Sequence, residues 1–300
     1  MNEHSHLRNL INLGFIVDEK VIDKIESLNE EEFFRLVEDL KKESAFLIDE
    51  EILKNLLASD VKILNFFKKA ESFAIHDIVK TLNNRYNFLQ DILLKKVELS
   101  NIVSINKCSN GNVSVIGLIK DKEEKIDNYI ISLEDPTGEI QVSLGKKIGE
   151  KIALDDVVAV SGKFSNKILV ADKILFPDVP LRPVSYSKEP AKVAFTDKNV
   201  KADYQIYNNK IRDNIKNKEY EITNPCIFKI NDVIFLIVLD FDPLEVLKKR
   251  YVSIEDNDFL ISPNPDIVLT NKEINTNYKG ISVVSKNRLI DLKTREIKNV

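Results

Sequence analysis

Tryptophan is absent from this chain, and histidine, cysteine and glycine are scarce: three His, two Cys and eight Gly in 300 residues. Most of these shortages close off a chemistry. The histidines are His4, His6 and His76, so no Ser or Cys nucleophile can draw a histidine base from the C-terminal two-thirds. His4 and His6 sit on the N-terminal segment and read as terminal residues rather than a ligand pair, and His76 as an ordinary helix or loop residue. Cys108 and Cys226 are far apart and fit no metal-ligand spacing, so both read as reduced thiols. There is no Gly-x-x-x-x-Gly-Lys loop, no Gly-x-Gly-x-x-Gly and no Cys-x-x-Cys. Past Gly162 the only glycine is Gly280, which leaves tight C-terminal loops little support. The longest apolar run, "VIFLIVL" at 233–239, falls far short of the ~18 residues that cross a membrane. The opening "MNEHSHLRNL" lacks the apolar stretch of a signal peptide, so a cytoplasmic protein with no membrane partner is expected. Net charge is −4, which offers no general basic field for nucleic acid. That speaks against a stand-alone DNA binder, not against a subunit whose partner carries the basic surface. The missing tryptophan, with a Lys-, Ile- and Asn-rich composition, reads as a bias of the source.

The chain is long enough for two or three domains. Residues 1–58 carry helix punctuation. Gly14 ends a first helix, Asp18 caps a second with Val21, Ile22, Ile25 and Leu28, and Asn29 with Glu32 resembles a capping box. Phe33, Phe34, Leu36, Val37 and Leu40 follow at helical spacing, and Asp49 caps a short helix with Ile52, Leu53, Leu56 and Leu57. A small helical bundle is expected, and such a bundle is also suited to docking a partner. Residues 59–97 read as a linker ending in a helix, with Ile78, Leu82, Leu89, Ile92 and Leu93 on one face. Its last turn is basic, and Lys95 and Lys96 are candidate DNA contacts beside the reading of a solvated face.

Between 98 and 182 the period changes to two. "NVSVIGLIK", "NYIISLE", "EIQVSL", "DVVAVSGKF" and "KILVADKILF" are five strand-like runs, and "EDPTGE" at 134–139 supplies a turn. Six of the eight glycines fall here, where a small barrel needs bends, so an OB-fold is expected. Its aromatics are limited to Tyr129, Phe164 and Phe176, too few to serve both a core and a base-stacking surface. Residues 183–300 read as mixed α/β, with strands at 192–196, 226–230, 233–239 and 281–284 and a helix at 242–251 carrying Pro243 in its first turn. The stretch is short for a fully enclosed sheet. Its opening, "KVAFTDKNVKAD", has the form of a strand that delivers metal ligands, but Asn199 stands two residues after Asp197 where such sites place a histidine.

"RYNFLQDILLKK", "LEDPTGEIQVSL", "LVADKILFPDVPLRP", "TNPCIFKINDVIFLIVLDFDPLEVLKKRY" and "NPDIVLTNKEINTNYKGISVVSKN" together resemble the small subunit of the archaeal family-D DNA polymerase. The resemblance implies a multidomain α+β chain: an N-terminal helical module, an OB-fold barrel and a calcineurin-like phosphoesterase domain. It also implies a large catalytic polymerase subunit as partner, with DNA reached through the complex in an archaeal cell. Active members hold two divalent metal ions, such as manganese, in the phosphoesterase domain, which is implicated in 3′–5′ exonuclease proofreading. Laid on that pattern, Asp197 matches a ligand and Asn199 does not. Leu239-Asp240-Phe241 stand where a His-Gly-Arg belongs, and Asn271-Lys272-Glu273-Ile274 where a Gly-His-x-His belongs, so Lys272 would put a positive charge in the metal cavity. No metal cofactor is expected, and Asp197 and Asn199 read as the relic of a site. Phe176, Pro177, Asp178 and Pro180, in the "FPDVP" junction, are candidate interdomain or partner contacts, stiffened by proline. The expected function is a silent, scaffolding small subunit in DNA replication. The alternatives are a metal-dependent exonuclease and an OB-fold single-strand binder.

Overall fold

A computed structural model describes residues 5–28, 30–43, 46–50, 52–53, 61–69, 75–255 and 257–300. Among these the strands form a closed five-stranded barrel, two six-stranded sheets and two small two-stranded sheets, so the architecture is mixed α/β and mostly strand. No helix among the described residues is long and apolar enough to cross a membrane.

At the N-terminus, the helix Ser5–Asn12 stops at Gly14, whose φ of +89° suits a residue without a side chain. Asp18 accepts a hydrogen bond from the Lys20 N–H at 3.0 Å, and Asp49 accepts one from the Ile52 N–H at 2.8 Å, so both aspartates cap as their positions imply. Asn29, Leu56, Leu57 and the side chain of Glu32 lie outside the described residues. Helix Glu30–Glu43 buries Phe33, Leu36, Val37 and Leu40. Phe34 does not join that stripe: one residue is a 100° step around the helix, and its ring is exposed. Strands β1 (Ile16–Val17) and β2 (Leu47–Ile48) tie the loops together in a parallel pair.

The linker is more than a connector. Val61–Phe66 forms strand β3, which the residue pattern did not announce because four of its six side chains are exposed. Helix Ile75–Leu93 follows, and it buries Leu89 and Leu93 together with Arg85 and Tyr86. It ends before Lys95 and Lys96, so its last turn carries no basic residue, contrary to the expectation.

The barrel runs β4 (Gly111–Glu124), β5 (Asn128–Asp135), β6 (Gly138–Gly145), β7 (Val157–Ser165) and β8 (Ile168–Leu175), at the positions of the five alternating runs. Its order is β4-β5-β6-β8-β7, closed by β7 on β4, and only the β6–β8 pairing is parallel. This is a five-stranded barrel consistent with an OB-fold. Val115, Ile131, Leu133, Val142, Val160 and Leu169 fill it. At Gly162, beside a register shift between β7 and β8, a Cβ would lie 2.0 Å from the Val170 carbonyl oxygen, so the bend admits no side chain.

The C-terminal part holds β9 (Lys192–Phe195), β10 (Tyr204–Tyr207), β11 (Lys210–Asp213), β12 (Lys218–Glu221), β13 (Cys226–Ile230), β14 (Val233–Ile237), β15 (Tyr251–Ile254), β16 (Asn257–Leu260), β17 (Ile267–Thr270), β18 (Thr276–Tyr278), β19 (Ile281–Ser285), β20 (Arg288–Asp291) and β21 (Ile297–Asn299). One sheet is ordered β12-β11-β10-β9-β20-β21 and the other β18-β19-β17-β14-β13-β3. Between them Val193, Phe195, Ile206, Phe228, Phe235 and Leu269 share one core. Fewer than 120 residues enclose this core because the linker lends β3 to the second sheet, antiparallel to β13. The outer face of the second sheet is covered by the helix Pro243–Lys249 and the β15–β16 hairpin. Asp242 caps that helix by accepting from the Leu244 and Glu245 N–H groups, and Pro243 occupies its first turn.

The scarcity of glycine did not prevent tight turns. Asn208, Asn209, Asn217, Asn231 and Asn287 all have positive φ. Asn208-Asn209 joins β10 to β11 in a two-residue hairpin, a geometry that Asn tolerates better than other side chains.

Candidate functional site

Strands β14, β17 and β19 run parallel in one sheet, and β9 lies parallel to β10 in the other. Ligand clefts in α/β sheets lie beyond the C-terminal ends of such strands, and a cleft of ≈ 380 Å³ lies there. Asp197 enters it two residues after β9, Leu239 two residues after β14, and Asn271 and Lys286 one residue after β17 and β19. The Asp197 carboxylate forms an ion pair with the Lys286 ammonium. Ile237 and Asn208 add further wall. The turn after β9 is pinned from behind: the Gln205 amide donates to the Thr196 and Lys198 carbonyls at 2.9 and 2.8 Å, and Thr196 bonds Asn287 at 2.8 Å.

Of the positions laid on the family's metal pattern, the fold therefore gathers Asp197, Leu239 and Asn271. Asn199 is exposed and does not line the cleft. Lys272 does not line it either, since its N–H bonds the Thr270 hydroxyl at 3.2 Å and its side chain faces solvent. The cation in the cleft is Lys286, not the Lys272 that the pattern indicated. Ile274 packs instead against the outer core of the second sheet. Lys286 had one legible signal, its place two residues after the strand-like run 281–284.

The "FPDVP" junction is the second gathering point. The Asp178 carboxylate accepts from the Tyr278 hydroxyl at 2.9 Å and the Lys279 ammonium at 2.6 Å. The Asp178 N–H donates to the Lys248 carbonyl at 2.8 Å, and its own carbonyl accepts from the Lys96 ammonium at 3.0 Å. Phe176 packs on the barrel core with the Lys248 ammonium 3.9 Å from its ring centroid. Pro177 is buried and Pro180 exposed. Burial pulls the Lys96 amine below its ordinary range, and burial followed by the Asp178 contact pushes the Tyr278 hydroxyl up. Lys96 thus serves the junction, while Lys95 faces solvent.

A third constellation was not anticipated. Arg85, from the helix Ile75–Leu93, donates to Asp258 on β16 at 2.7 Å and to the Asp155 carbonyl in the barrel's β6–β7 connection at 3.1 Å. Its guanidinium lies 4.5 Å from the Tyr251 ring centroid, and the Tyr251 hydroxyl donates to Asp156 at 3.2 Å. Lys249 reaches the same Asp156 at 2.9 Å. Burial raises the Asp258 carboxyl even with Arg85 beside it. The available signal was a charged residue inside the apolar stripe between Leu82 and Leu89.

The barrel and the two-sheet domain locked to it define a class: a β-rich, multi-part chain whose strand-end cleft carries a lysine–aspartate pair. Five curated archaeal proteins named DNA polymerase II small subunit match this chain at 28–36% identity over 33–62% of its length, and the chain is thereby related to the small subunit of the family-D polymerase. The protein of Archaeoglobus fulgidus is 28% identical over 194 residues, which is 62% of this chain and 38% of that relative. That of Methanothermobacter thermautotrophicus is 36% identical over 35% of this chain and 24% of the relative, and that of Pyrococcus furiosus 32% identical over 43% and 23%. The matched segments thus span well under half of each relative's length. No family model matches. Among solved structures, the Schizosaccharomyces pombe "Stn1-ten1 complex" aligns at 17% identity and a TM-score of 0.21 over 21% of this chain and 56% of that one. "OBody AM1L10 bound to hen egg-white lysozyme" aligns at 14% and 0.24 over 26% and 95%.

Proposed function

We propose that this chain is a catalytically silent small subunit of a family-D DNA polymerase, acting as a scaffold for the large catalytic subunit in DNA replication. The residues 183–300 are read as a reduced phosphoesterase-like domain, and DNA is contacted through the complex. The observation that carries the silent reading is the Asp197–Lys286 pair in the strand-end cleft. Two divalent ions held ~3.5–4 Å apart need several carboxylate and imidazole donors converging from separate loops. One carboxylate paired with an ammonium, beside the neutral amides of Asn208, Asn209 and Asn271 and the aliphatic Leu239 and Ile237, does not fit two dications. The ion pair instead bridges the end of β9 in one sheet and the end of β19 in the other.

Co-expression with the large polymerase subunit from the same cell tests the reading. The expected result is a stable complex in size-exclusion chromatography, no stoichiometric manganese or zinc by elemental analysis, and unchanged polymerase activity on Asp197→Ala. Two metals per chain would overturn the silent reading, a nuclease activity abolished by Asp197→Ala would establish the exonuclease alternative, and absence of a complex would remove the scaffold reading.

A further inference from the structure

The connector 176–187, which belongs to no strand or helix, crosses the two sheets at the end away from the cleft. The Arg182 N–H donates to the Lys279 carbonyl at 3.3 Å, just before β19, and the Ser187 N–H to the Leu292 carbonyl at 2.9 Å, just after β20. Arg295, in the turn between β20 and β21, reaches back to the connector: its Nε donates to the Ser185 carbonyl at 2.6 Å. Both Nη atoms of Arg295 are shut off from solvent and have no hydrogen-bond partner among the described residues, and the same holds for the Arg182 Nε and the Ser187 hydroxyl. Buried polar groups are almost always paired, so several unpaired donors in one region ask for an acceptor.

The charge there is not balanced either. Asp266 is the acidic partner of Arg182, at 2.9 Å, and its other oxygen accepts the Ile234 N–H at 2.8 Å. The second Arg182 contact is the Pro265 carbonyl. Burial, with Arg182 nearby, holds the Arg295 guanidinium below its ordinary range even though Asp266 acts the other way. A guanidinium does not give up its proton in a protein, so Arg295 stays a buried cation whose one acceptor is a neutral carbonyl. A water molecule accepts from such donors but leaves the charge uncompensated, which is the costly part. Two guanidiniums and a hydroxyl suit a tetrahedral oxyanion with several acceptor oxygens. Because solvent does not reach the donors, the organic part of a phosphate ester has no way out, and entry of even a small ion requires the irregular connector to lift. We propose that Arg182, Arg295 and Ser187 enclose a free inorganic oxyanion, phosphate or sulfate, that pins the connector to the C-terminal sheets. This site is separate from the cleft, and it does not depend on the polymerase reading.

The test uses the full-length chain, dialysed against phosphate- and sulfate-free buffer. Residual anion is read by ion chromatography of the heat-denatured protein, and further uptake by titration calorimetry with inorganic phosphate at constant ionic strength. Residual anion and titrated phosphate are expected to total about one per chain, and adenosine monophosphate is expected not to bind. Arg295→Met is expected to weaken phosphate binding by about tenfold or more, the loss of charge-assisted hydrogen bonds. Ser187→Ala removes a single oxygen, weakens binding by about threefold or more, and carries the test if Arg295→Met does not fold. Lys188→Met, at an exposed cation next in the chain, leaves binding unchanged. Neither residual anion nor titratable phosphate, uptake of adenosine monophosphate equal to that of phosphate, or wild-type affinity in the folded Arg295 and Ser187 variants would each overturn the proposal.

Discussion

Arg85 and Asp258 show how much a single pair decides here. Their side chains are 5% and 4% exposed, and they join the linker helix to the β15–β16 hairpin. A buried pair is costly to desolvate, and breaking it from one side is worse, because the remaining charge has no water and no partner. Arg85→Met is therefore expected to lower stability by roughly 3–5 kcal/mol, read from the midpoint of urea denaturation. Arg85→Met combined with Asp258→Leu should recover most of that loss, since burial already disfavours the ionised Asp258 carboxyl. A double variant as unstable as the single one would show that Arg85 acts through packing on Tyr251 rather than through charge. Asp197 is the contrasting case: its half-exposed pair with Lys286 contributes little stability.

Among the elements, the three-stranded edge β10–β11–β12 is held by side chains as much as by its ladder. Glu219 on β12 accepts from the Tyr207 hydroxyl at 2.6 Å and from Arg212 at 3.0 Å, and the Arg212 guanidinium lies 4.7 Å from the Tyr207 ring centroid. The Tyr207 hydrogen bond, then those from Arg212 and Lys210, pull the Glu219 carboxyl from 4.5 down to about 2. A carboxyl depressed in the folded state adds stability above its unfolded value and loses it as the pH falls through the folded one. Glu219→Gln is accordingly expected to lower the melting temperature at neutral pH. Its deficit should shrink as the pH drops from about 4.5 toward about 2. A deficit independent of pH would assign the effect to packing at the edge instead.

For the whole molecule, the boundary between barrel and C-terminal sheets is not a flexible joint. Asp178 ties three segments, Arg85 ties three more, and β3 crosses from the linker into the second sheet. Removing residues 190–300 would strand β3 without β13 and expose the apolar side chains of both, so truncation is a poor test of partner binding. A subtler change isolates the junction. Asp178→Ala with Pro177→Gly and Pro180→Gly removes the shared acceptor and frees the backbone φ that proline restricts. The expected outcome is a larger maximum dimension and a broader distance distribution in small-angle X-ray scattering. An unchanged profile would mean that the Arg85 constellation and the β3–β13 pairing suffice to hold the orientation.

The amino-acid sequence by itself determined the features that depend on neighbours along the chain. The five alternating runs placed the barrel strands, Asp18, Asp49 and Pro243 placed helix starts, and the sequence alone shows that no histidine follows position 76. The "FPDVP" junction could be singled out by its prolines, and the family relationship by its stretches in order. Only the tertiary structure decided which side chains meet across long separations. It brought Lys286 rather than Lys272 to Asp197, took Lys96 into the junction, and recruited exposed-looking β3 as an edge strand. It also turned Phe34 away from the core and set Ile16 beside Leu47 on an outward face. The reason is physical: periodicity and capping are read within a few residues, whereas an ion pair 89 positions apart in number or a borrowed strand depends on how sheets stack, and no local pattern encodes that.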